Sequence, residues 1–216
     1  MIEPSDVDAG SSVTVSGTGS AATPVDRATV RLNVDVLRPD PGEAFRDAAT
    51  TSARVLALVA GQGVEARHVR TQDISLGPRS DYHAGQERLL GYAATQRLSV
   101  ELPRLDGIEQ LLSDLAADSD GGLRIDGVTF SATDLVDASV VARERAFDDA
   151  RTKAEHYAAL SGRQLGRVLR LEEGAAPVVP MLRESVALAA SAGPPMPVAA
   201  GDADVTVGII VVWELR

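Results

Sequence analysis

Runs of alternating apolar and polar residues occur along most of the chain and predict β-strands. The clearest run covers residues 27–37, where Ala, Val or Leu stands at every second position and polar residues stand between them. This period of two is typical of a strand with one buried face. Similar runs predict strands at residues 12–17, 68–78, 89–102, 123–133, 164–171 and 204–215.

Two of these runs carry further information. In the run at 123–133 the apolar positions shift parity at Asp126-Gly127, which predicts a β-bulge. In the run at 204–215, Ile210 and Val212 lie on the face opposite the main apolar set. We therefore expect the centre of this last strand to be buried on both sides.

Apolar residues spaced three or four positions apart predict three helices. These cover residues 41–61, 105–117 and 134–162. The first follows Asp40, a good N-cap, and has Pro41 in its first turn, where proline is well tolerated. The third and longest has Asp134 as its predicted N-cap and Gly162 where a C′ glycine ends a helix.

Alanine recurs at every fourth position of the longest predicted helix. Small side chains let a helix lie close to a sheet or to another helix, and the row drifts slowly around a helix of about 3.6 residues per turn. The opposite surface is charged, with Asp149–Lys153 and Arg151–Glu155 as opposite-charge pairs four residues apart. Two interpretations stay open: a buried seam beneath a solvated charged face, or a seam that is partly a subunit interface. The alanines are Ala138, Ala142, Ala146, Ala150, Ala154 and Ala158.

Together these elements have the order ββαββαβαββ. Clustered strands with few tight βαβ crossovers favour an α+β fold, with a mostly antiparallel sheet and helices packed on one face. We expect a disordered lead at residues 1–11 and, over residues 12–216, one domain or two intimately packed subdomains. Residues 172–203 are rich in Pro and Ala and predict a long loop. This loop is either disordered or an arm that contacts a protein partner through residues 174–203.

The composition excludes several classes of function. The formal charge is −10 and no run of Lys and Arg occurs, so we expect no nucleic-acid partner. Cysteine is absent, which excludes disulfides, thiolate nucleophiles and cysteine-bound zinc. No apolar run approaches the length of about 18 residues that a membrane span needs. The first ten residues lack a signal-peptide pattern, which predicts a cytoplasmic protein, or an exported one if the sequence is a mature or trimmed form.

Two glycine-containing motifs suggest ligands, but their context favours turns. Gly17, Gly19 and Ala22 fit the G-x-G-x-x-A pattern of dinucleotide-binding folds, yet Pro24 and a strand follow where that pattern needs a helix. We therefore expect a glycine turn or bulge between two strands. Residues 118–122 resemble the start of a calcium loop, but the glycine is misplaced and no Glu stands at the twelfth position. A helix-to-strand turn is the better interpretation.

No residues can be assigned to catalysis, to a cofactor or to a metal. His68, His83 and His156 fall in a strand start, a hairpin tip and a helix, and none has a metal-ligand neighbour two or four residues away. A Ser-His-Asp triad stays open because its members need not be adjacent, although no G-x-S-x-G elbow occurs. The many carboxylates are enough for an acid/base pair, but nothing singles out two of them.

A set of motifs in a fixed order resembles the SIMPL-domain family of bacterial proteins. The motifs are V-x-V-x-G-x-G at 13–19, T-x-x-I-x-x-x-P at 71–78, G-Y-x-A at 91–94, V-x-F at 128–130, A-x-x-D-A-x-x-K-A at 146–154 and G-x-x-L-G-x-V at 162–168. Each motif is weak, whereas the ordered set over residues 12–216 is fairly specific. The chain departs from the family pattern in separating Pro24 from Asp26 and in lacking an export signal.

The resemblance implies an α+β fold and self-association into a homo-oligomer, ring- or channel-like in one periplasmic immunogenic member. It implies links to stress protection, no established enzymatic activity, and no agreed catalytic, cofactor-binding or metal-binding residues. We therefore predict a non-enzymatic protein that acts by homo-oligomeric assembly or partner binding, in a stress- or envelope-related role. The alternatives are a small-molecule binder or unrecognised hydrolase with a carboxylate-lined pocket, and a chaperone-like protein of the cell envelope.

Overall fold

The computed structural model of the protein describes residues 11–83, 86–117, 122–174, 181–182 and 197–216. In chain order these form β1 (Ser12–Pro24), β2 (Arg27–Arg38), α1 (Pro41–Gly61), a 3-10 turn (Ala66–His68), β3 (Val69–His83), β4 (Gln86–Leu102), α2 (Ile108–Ala117), β5 (Leu123–Ser131), α3 (Val136–Leu160), β6 (Leu165–Glu173), β7 (Met181–Leu182) and β8 (Asp202–Leu215). The predicted α+β order is confirmed, and the short β7 is an addition to it.

The chain divides into two compact units, which are described separately. The first unit comprises residues 1–25, 132–185 and 201–216, and the second comprises residues 26–131 and 186–200. The described residues of each unit form one antiparallel sheet. The strand order is β1-β8-β6 in the first unit, where β7 also pairs with β8, and β3-β4-β2-β5 in the second.

The core of the first unit is the alanine row of α3, packed on β1 and β8. All six alanines are buried, as the sequence predicts. The Trp213 ring lies beside Phe147 of α3, with the ring centroids 6.0 Å apart. The residues of β8 that line this core are Val205, Val207, Ile209, Val211 and Trp213. Because the unit's own strands cover the alanine row, its interpretation as a subunit interface is wrong.

The opposite face of β8 is open. Ile210 is 45% exposed, and Val212 is only partly buried. The prediction of a strand buried on both sides is therefore wrong. Among the described residues, α3 packs on this sheet from one side only, so the second set of apolar residues remains without a covering layer.

Two glycines of β1 explain how α3 lies so close to the sheet. A Cβ atom added to Gly17 would lie 2.0 Å from the carbonyl oxygen of Ala146, and one added to Gly19 would lie 2.2 Å from that of Ala142. Both distances are far below van der Waals contact, so only glycine fits. The predicted glycine turn is wrong, because both residues lie inside the 13-residue strand β1.

The second unit has β2 in the middle of its core. One face of β2 is fully apolar and packs against α1 and α2, with β4 contributing from the same side of the sheet. The buried residues of β2 are Ala28, Val30, Leu32, Val34 and Val36. This arrangement follows directly from the alternation in the sequence, since a period of two places all five on one face.

Several predicted ends of elements are confirmed by backbone contacts. Asp40 Oδ1 accepts a hydrogen bond from Glu43 N at 3.0 Å, so Asp40 caps α1. Gly162 has a φ of +69° just beyond α3, in the left-handed region that favours glycine. The predicted bulge at Asp126-Gly127 is present as a register shift in the pairing of β5 with β2.

Other ends differ from prediction. The helix α2 begins at Ile108, three residues later than predicted, because Gly107 with a φ of +82° precedes it. The predicted strands at 68–78 and 89–102 continue to His83 and Gln86 as β3 and β4, so most of the segment between the predicted strands is paired. The hairpin is therefore longer than its sequence suggests.

The strands on either side of the predicted loop at residues 172–203 extend further into it than predicted. The strand β6 reaches Glu173, and β8 begins at Asp202. Within this segment Val198 packs against the core of the second unit. The parts of the predicted lead and loop that lie outside the described residues are 1–10, 175–180 and 183–196.

We expect Gly17→Ala to lower the free energy of unfolding by more than about 3 kcal/mol, because the added methyl group forces α3 away from β1. Chemical denaturation followed by circular dichroism measures this change. Gly77→Ala in β3 is the matched control, since no atom lies within 4 Å of its added Cβ. The control should change the same quantity by less than about 0.5 kcal/mol. Equal stability of the two variants would show that the close approach is not a constraint.

Candidate functional site

The outer edge of β1 is closed by side chains of α3. Among the described residues β1 pairs with β8 on one edge only. On its other edge, three residues of α3 spaced four apart bind consecutive outward-facing backbone groups. The hydrogen bonds run from Arg145 Nη1 to Ser20 O, from Thr18 N to Asp149 Oδ2 at 2.9 Å, and from Lys153 Nζ to Ser16 O at 3.1 Å. We call Arg145, Asp149 and Lys153 the side-chain ladder.

The hydrogen bonds of the side-chain ladder stay in step because four residues of the helix and two residues of the strand span similar distances. Four residues of a helix rise about 6 Å, and two residues of a strand rise about 6.8 Å. Hydrogen bonds from Lys153 and from the Thr18 amide lower the pKa of Asp149. Since the edge groups Ser16 O, Thr18 N and Ser20 O are already bonded, the middle of this edge of β1 is protected from pairing with another strand.

The hairpin formed by β3 and β4 presents apolar side chains to solvent. β3 is an edge strand of the second unit's sheet. The exposed fractions are 58% for Ile74, 46% for Leu76, 74% for Tyr82 and 53% for Leu89. The register pairs Leu76 with Ala94 and Ser80 with Leu89, which places all four side chains on the face that also carries buried Ala94. We call these four residues the hairpin surface.

The hairpin surface lies on the face of the sheet to which the helices belong. α1 covers β4 at Ala94, but Ile74 and Leu76 of β3 remain uncovered in the described part of the chain. A long apolar edge strand is a natural template for pairing with another chain. The hairpin surface is therefore the strongest candidate for protein contact in the second unit.

A polar cleft of about 490 Å³ opens beside β2, where this strand runs past the beginning of β5. Asp35 N donates to Gly122 O at 2.7 Å, one residue beyond the paired residues Val34 and Leu123. The cleft is lined by Asn33, Asp35, Val36, Leu37, Arg38, Asp47, Thr51, Arg79, Gly122, Leu123 and Arg124. All of these residues belong to the second unit.

Charged side chains of the cleft form ion pairs. Arg79 Nη2 donates to both carboxylate oxygens of Asp35 at 3.0 Å, reaching from β3 across β4 to β2. The other pairs join Arg38 Nε to Asp47 Oδ2 at 2.8 Å and Arg124 Nε to Asp126 Oδ1 at 2.7 Å. Each carboxylate is thus held by a guanidinium group. The carboxylates among the described lining residues, Asp35 and Asp47, are therefore both ion-paired.

Asn33 stands out among the residues of the cleft. It is only 6% exposed, and its side-chain Oδ1 has no hydrogen-bond partner among the described residues. Leaving a buried carbonyl unbonded costs about 1–3 kcal/mol. Native structures contain few such groups, so the unbonded oxygen of Asn33 requires an explanation.

The residues singled out from the sequence do not converge on one site. His68 lies 4.0 Å from Glu101 Oε2, and His156 stacks on Tyr157 with the ring centroids 6.2 Å apart. The side chain of His83 and residues 118–121 lie outside what the structure describes. Within the described ranges, no group of three His, Asp or Glu side chains is placed to hold a metal ion. A membrane-spanning helix is likewise not found in those ranges.

Sequence reasoning missed the residues of the cleft. Asn33 and Asp35 fall on the polar side of the alternating strand β2, and that pattern predicts only solvent exposure. Arg79 lies 44 residues from Asp35, and the pair forms only because the strand order brings β3 within reach of β2. The residues around Asp35 and Arg79 in the sequence contain no pattern that predicts this pair. The one usable hint is an Asn at the centre of a strongly apolar strand.

The ordered motifs are matched by comparison with known proteins. Residues 13–213 match the family described as "SIMPL: Protein of unknown function (DUF541)". The chain is 28% identical over 220 residues to the 26 kDa periplasmic immunogenic protein of Brucella melitensis, covering 94% of this chain and 84% of that protein. The same values hold for the protein of that name from Brucella abortus. This chain is also 27% identical over 164 residues to the uncharacterized protein YggE of Escherichia coli K12. The match covers 74% of this chain and 64% of that protein.

The expected cytoplasmic location is wrong. Two of the relatives are named as periplasmic proteins, and this points to export to the periplasm. The prediction depended only on the missing signal-peptide pattern in the first ten residues. The point at which a sequence begins carries no information about a leader, so the observation did not support the prediction.

We expect Asp149→Ala to lower the midpoint of thermal unfolding at neutral pH, because it removes the middle of the side-chain ladder. The pKa of Asp149 is depressed in the folded state, so its stabilising effect is complete above the unfolded-state pKa of about 3.9. This effect is lost as the pH falls through the lower folded-state pKa. The difference between wild type and variant should therefore shrink below about pH 4.

Asp148→Ala is the matched control for this titration. Asp148 lies on the same helix, but its side chain is 68% exposed and its Oδ1 lies 3.8 Å from Arg151 Nη2. We expect little difference from wild type at any pH between 7 and about 2.5. A control that behaves like Asp149→Ala would contradict the role of the side-chain ladder.

Proposed function

Because the chain belongs to the SIMPL family, for which the family description gives no function, we propose that it acts as a non-enzymatic, self-associating protein. The observation that carries the proposal is the hairpin surface, where four large apolar side chains are each about half exposed or more on one face of a 15-residue edge strand and its neighbour. We expect the assembly to act in the periplasm, the location named for two relatives. An envelope- or stress-related role is the wider hypothesis.

A second copy of the chain is the partner that β3 fits best. Asp73 and Arg79 lie three residues on either side of Leu76. Within one chain Asp73 Oδ2 lies 3.7 Å from Arg97 Nη1, and Arg79 binds Asp35. Two copies of β3 that pair antiparallel about Leu76 add to these pairs, because they bring Asp73 of one copy opposite Arg79 of the other, twice. Opposite charges facing each other across a strand pair stabilise it, whereas like charges oppose it. The apolar residues between these charges then meet at the centre.

Because side chains of α3 already bond the outer edge of β1, β3 is the better-suited edge strand for self-association. Natural edge strands are protected by charged side chains, and the side-chain ladder gives β1 such protection. On β3 the described residues show one such bond, from Tyr82 N to Asp81 Oδ1 at 2.8 Å. Of the two longest edge strands, β1 is therefore bonded along the middle of its outer edge, whereas β3 is largely unbonded.

We expect wild-type protein to form a defined multimer in light scattering after size exclusion, and we expect Leu76→Glu to lower its mass. A charge at the centre of the pairing strand meets the same charge on the second copy and opposes association. Since Leu76 is 46% exposed, the variant should keep the circular dichroism spectrum of the wild type.

Ile210→Glu is the matched control for this measurement, because Ile210 is an equally exposed apolar residue of a strand in the first unit. It should leave the multimer intact. If the wild type is monomeric at every concentration, self-association is not its function. If the Leu76→Glu variant still forms the multimer, the contact between copies does not involve β3.

Binding of a small molecule is the second candidate function. The polar cleft favours it, because its volume of about 490 Å³ falls in the range of small-molecule sites, about 300–1,000 Å³. Binding in the cleft and association through β3 can coexist in one protein.

A further inference from the structure

We propose that two copies of the chain, paired through β3, bind one apolar helix of another polypeptide between their two α1 helices. The floor of this binding site is the helix-bearing face of the two β3 strands, and its walls are the flanks of α1 that face β3. We call the site the trough. The inference rests on the self-association through β3 proposed above, and it names the class of partner that the paired copies bind.

One flank of α1 is apolar and exposed. Phe45 is 50% exposed and Leu56 is 39% exposed. Ala49 and Ala60, which are also exposed, lie on the same flank, because spacings of four and seven residues return to the same side of a helix. A contiguous apolar surface of this kind marks a site of interaction.

This apolar flank faces β3, as the contacts of the opposite flank show. Asp47 and Thr51 line the polar cleft together with Gly122 and Leu123, at the start of β5. The strand order β3-β4-β2-β5 places β5 on the side of β2 away from β3. A helix turns by about 100° per residue, so Phe45 lies on the side of α1 opposite to Asp47 and Thr51. Phe45 and its flank therefore face β3.

The apolar flank of α1 and the neighbouring face of β3 form an open step in a single copy. Ala44 and Ala48 of α1 pack with Ala94 of β4, and Ala94 pairs with Leu76 of β3. Phe45 therefore lies at the level of Leu76. Pairing of two β3 strands at their edges bonds the backbones but leaves these side chains uncovered.

Pairing two copies about Leu76 turns the two steps into one trough. Residues directly opposite each other in a strand pair point to the same face, so both α1 helices lie on one side of the joined sheet. Each α1 packs on both β2 and β4 of its own copy. Four strand spacings, about 19 Å, therefore separate the two helices. Two successive helix-to-helix packing distances span about 16–20 Å, so the trough has room for one helix.

The chemistry of the lining selects an apolar polypeptide helix. The trough is lined in each copy by Ile74, Leu76 and Pro78 on the floor and by Phe45 and Leu56 on the wall, and none of these side chains is charged. A helix that is contacted from the floor and from both walls needs an apolar surface broader than the stripe of about 100° on an ordinary amphipathic helix. A membrane surface fits less well, because a chain with a net charge of −10 repels anionic headgroups.

The test is fluorescence anisotropy of a labelled synthetic peptide, titrated with the full-length protein. The peptide has about 18 residues of Leu, Ala, Glu and Lys with no net charge, and its leucines cover more than half of the helix surface. A peptide of the same composition with proline at its centre cannot form one continuous helix. We expect one helical peptide to bind per two copies, at least about 10-fold more tightly than the proline peptide. Equal affinities would overturn the requirement for a helix.

A variant in the wall of the trough separates peptide binding from self-association. Phe45→Ser should weaken the helical peptide at least about 10-fold, because each wall loses a buried phenyl ring. Its mass in light scattering should equal that of wild type, since Phe45 is not part of β3. Tyr157→Ser is the matched control, because Tyr157 is an aromatic residue of helix α3 in the first unit and is 55% exposed. The control should keep the wild-type affinity, and an equal loss in both variants would overturn the inference.

The remaining outcomes distinguish this inference from the proposed function. A monomeric wild type that binds no peptide contradicts both. A wild-type multimer that binds no peptide at millimolar concentration overturns the trough and leaves self-association in place. A Leu76→Glu monomer that binds one peptide per copy with wild-type affinity would show that pairing is not required. If vesicles of phosphatidylglycerol and phosphatidylethanolamine bind wild type but not Phe45→Ser, the surface contacts a membrane and the inference is overturned.

Discussion

The contact between the glycines of β1 and the alanine row of α3 is the constraint on which the first unit depends. The missing side chains of Gly17 and Gly19 let the strand backbone lie against the backbone of the helix at Ala146 and Ala142. At this short range, side chains on the flank of α3 reach the outer edge of β1. The side-chain ladder is thus a consequence of the close approach, because longer residues at either glycine would hold the helix too far away.

This close approach determines which strand edges remain for other chains. A helix that both covers the face and closes the edge of β1 removes that edge from any assembly. In the second unit α1 packs over β4 but leaves Ile74 and Leu76 of β3 exposed, and one side-chain bond to the β3 backbone is found among the described residues, from Tyr82 N to Asp81 Oδ1. The edge strands β1 and β3 therefore differ in how far side chains protect their backbones.

Sequence periodicity predicts the fold well and the candidate sites poorly, for a physical reason. The apolar alternation of β2 and the fourfold spacing of alanine in α3 report burial, which is a local property, and both predictions hold. The predicted turn at Gly17 and Gly19 is wrong because the close approach of a helix 120 residues or more away in sequence cannot be recognised from the strand's own residues. The predicted burial of both faces of β8 is wrong because one strand's sequence does not show whether a second layer covers it. The pair of Asp35 and Arg79 depends on strand order, which periodicity does not contain.

Both proposed surfaces use β3, through side chains on its two faces. Leu76 points to the face that carries α1, whereas Arg79, three residues further on, reaches across the other face to Asp35. Pairing of β3 with a second copy therefore fixes the backbone from which Arg79 extends. A strand that is held on both edges has fewer conformations than an edge strand, so the guanidinium loses less freedom when a ligand binds. Assembly through the hairpin surface and occupancy of the cleft are for this reason expected to favour one another rather than compete.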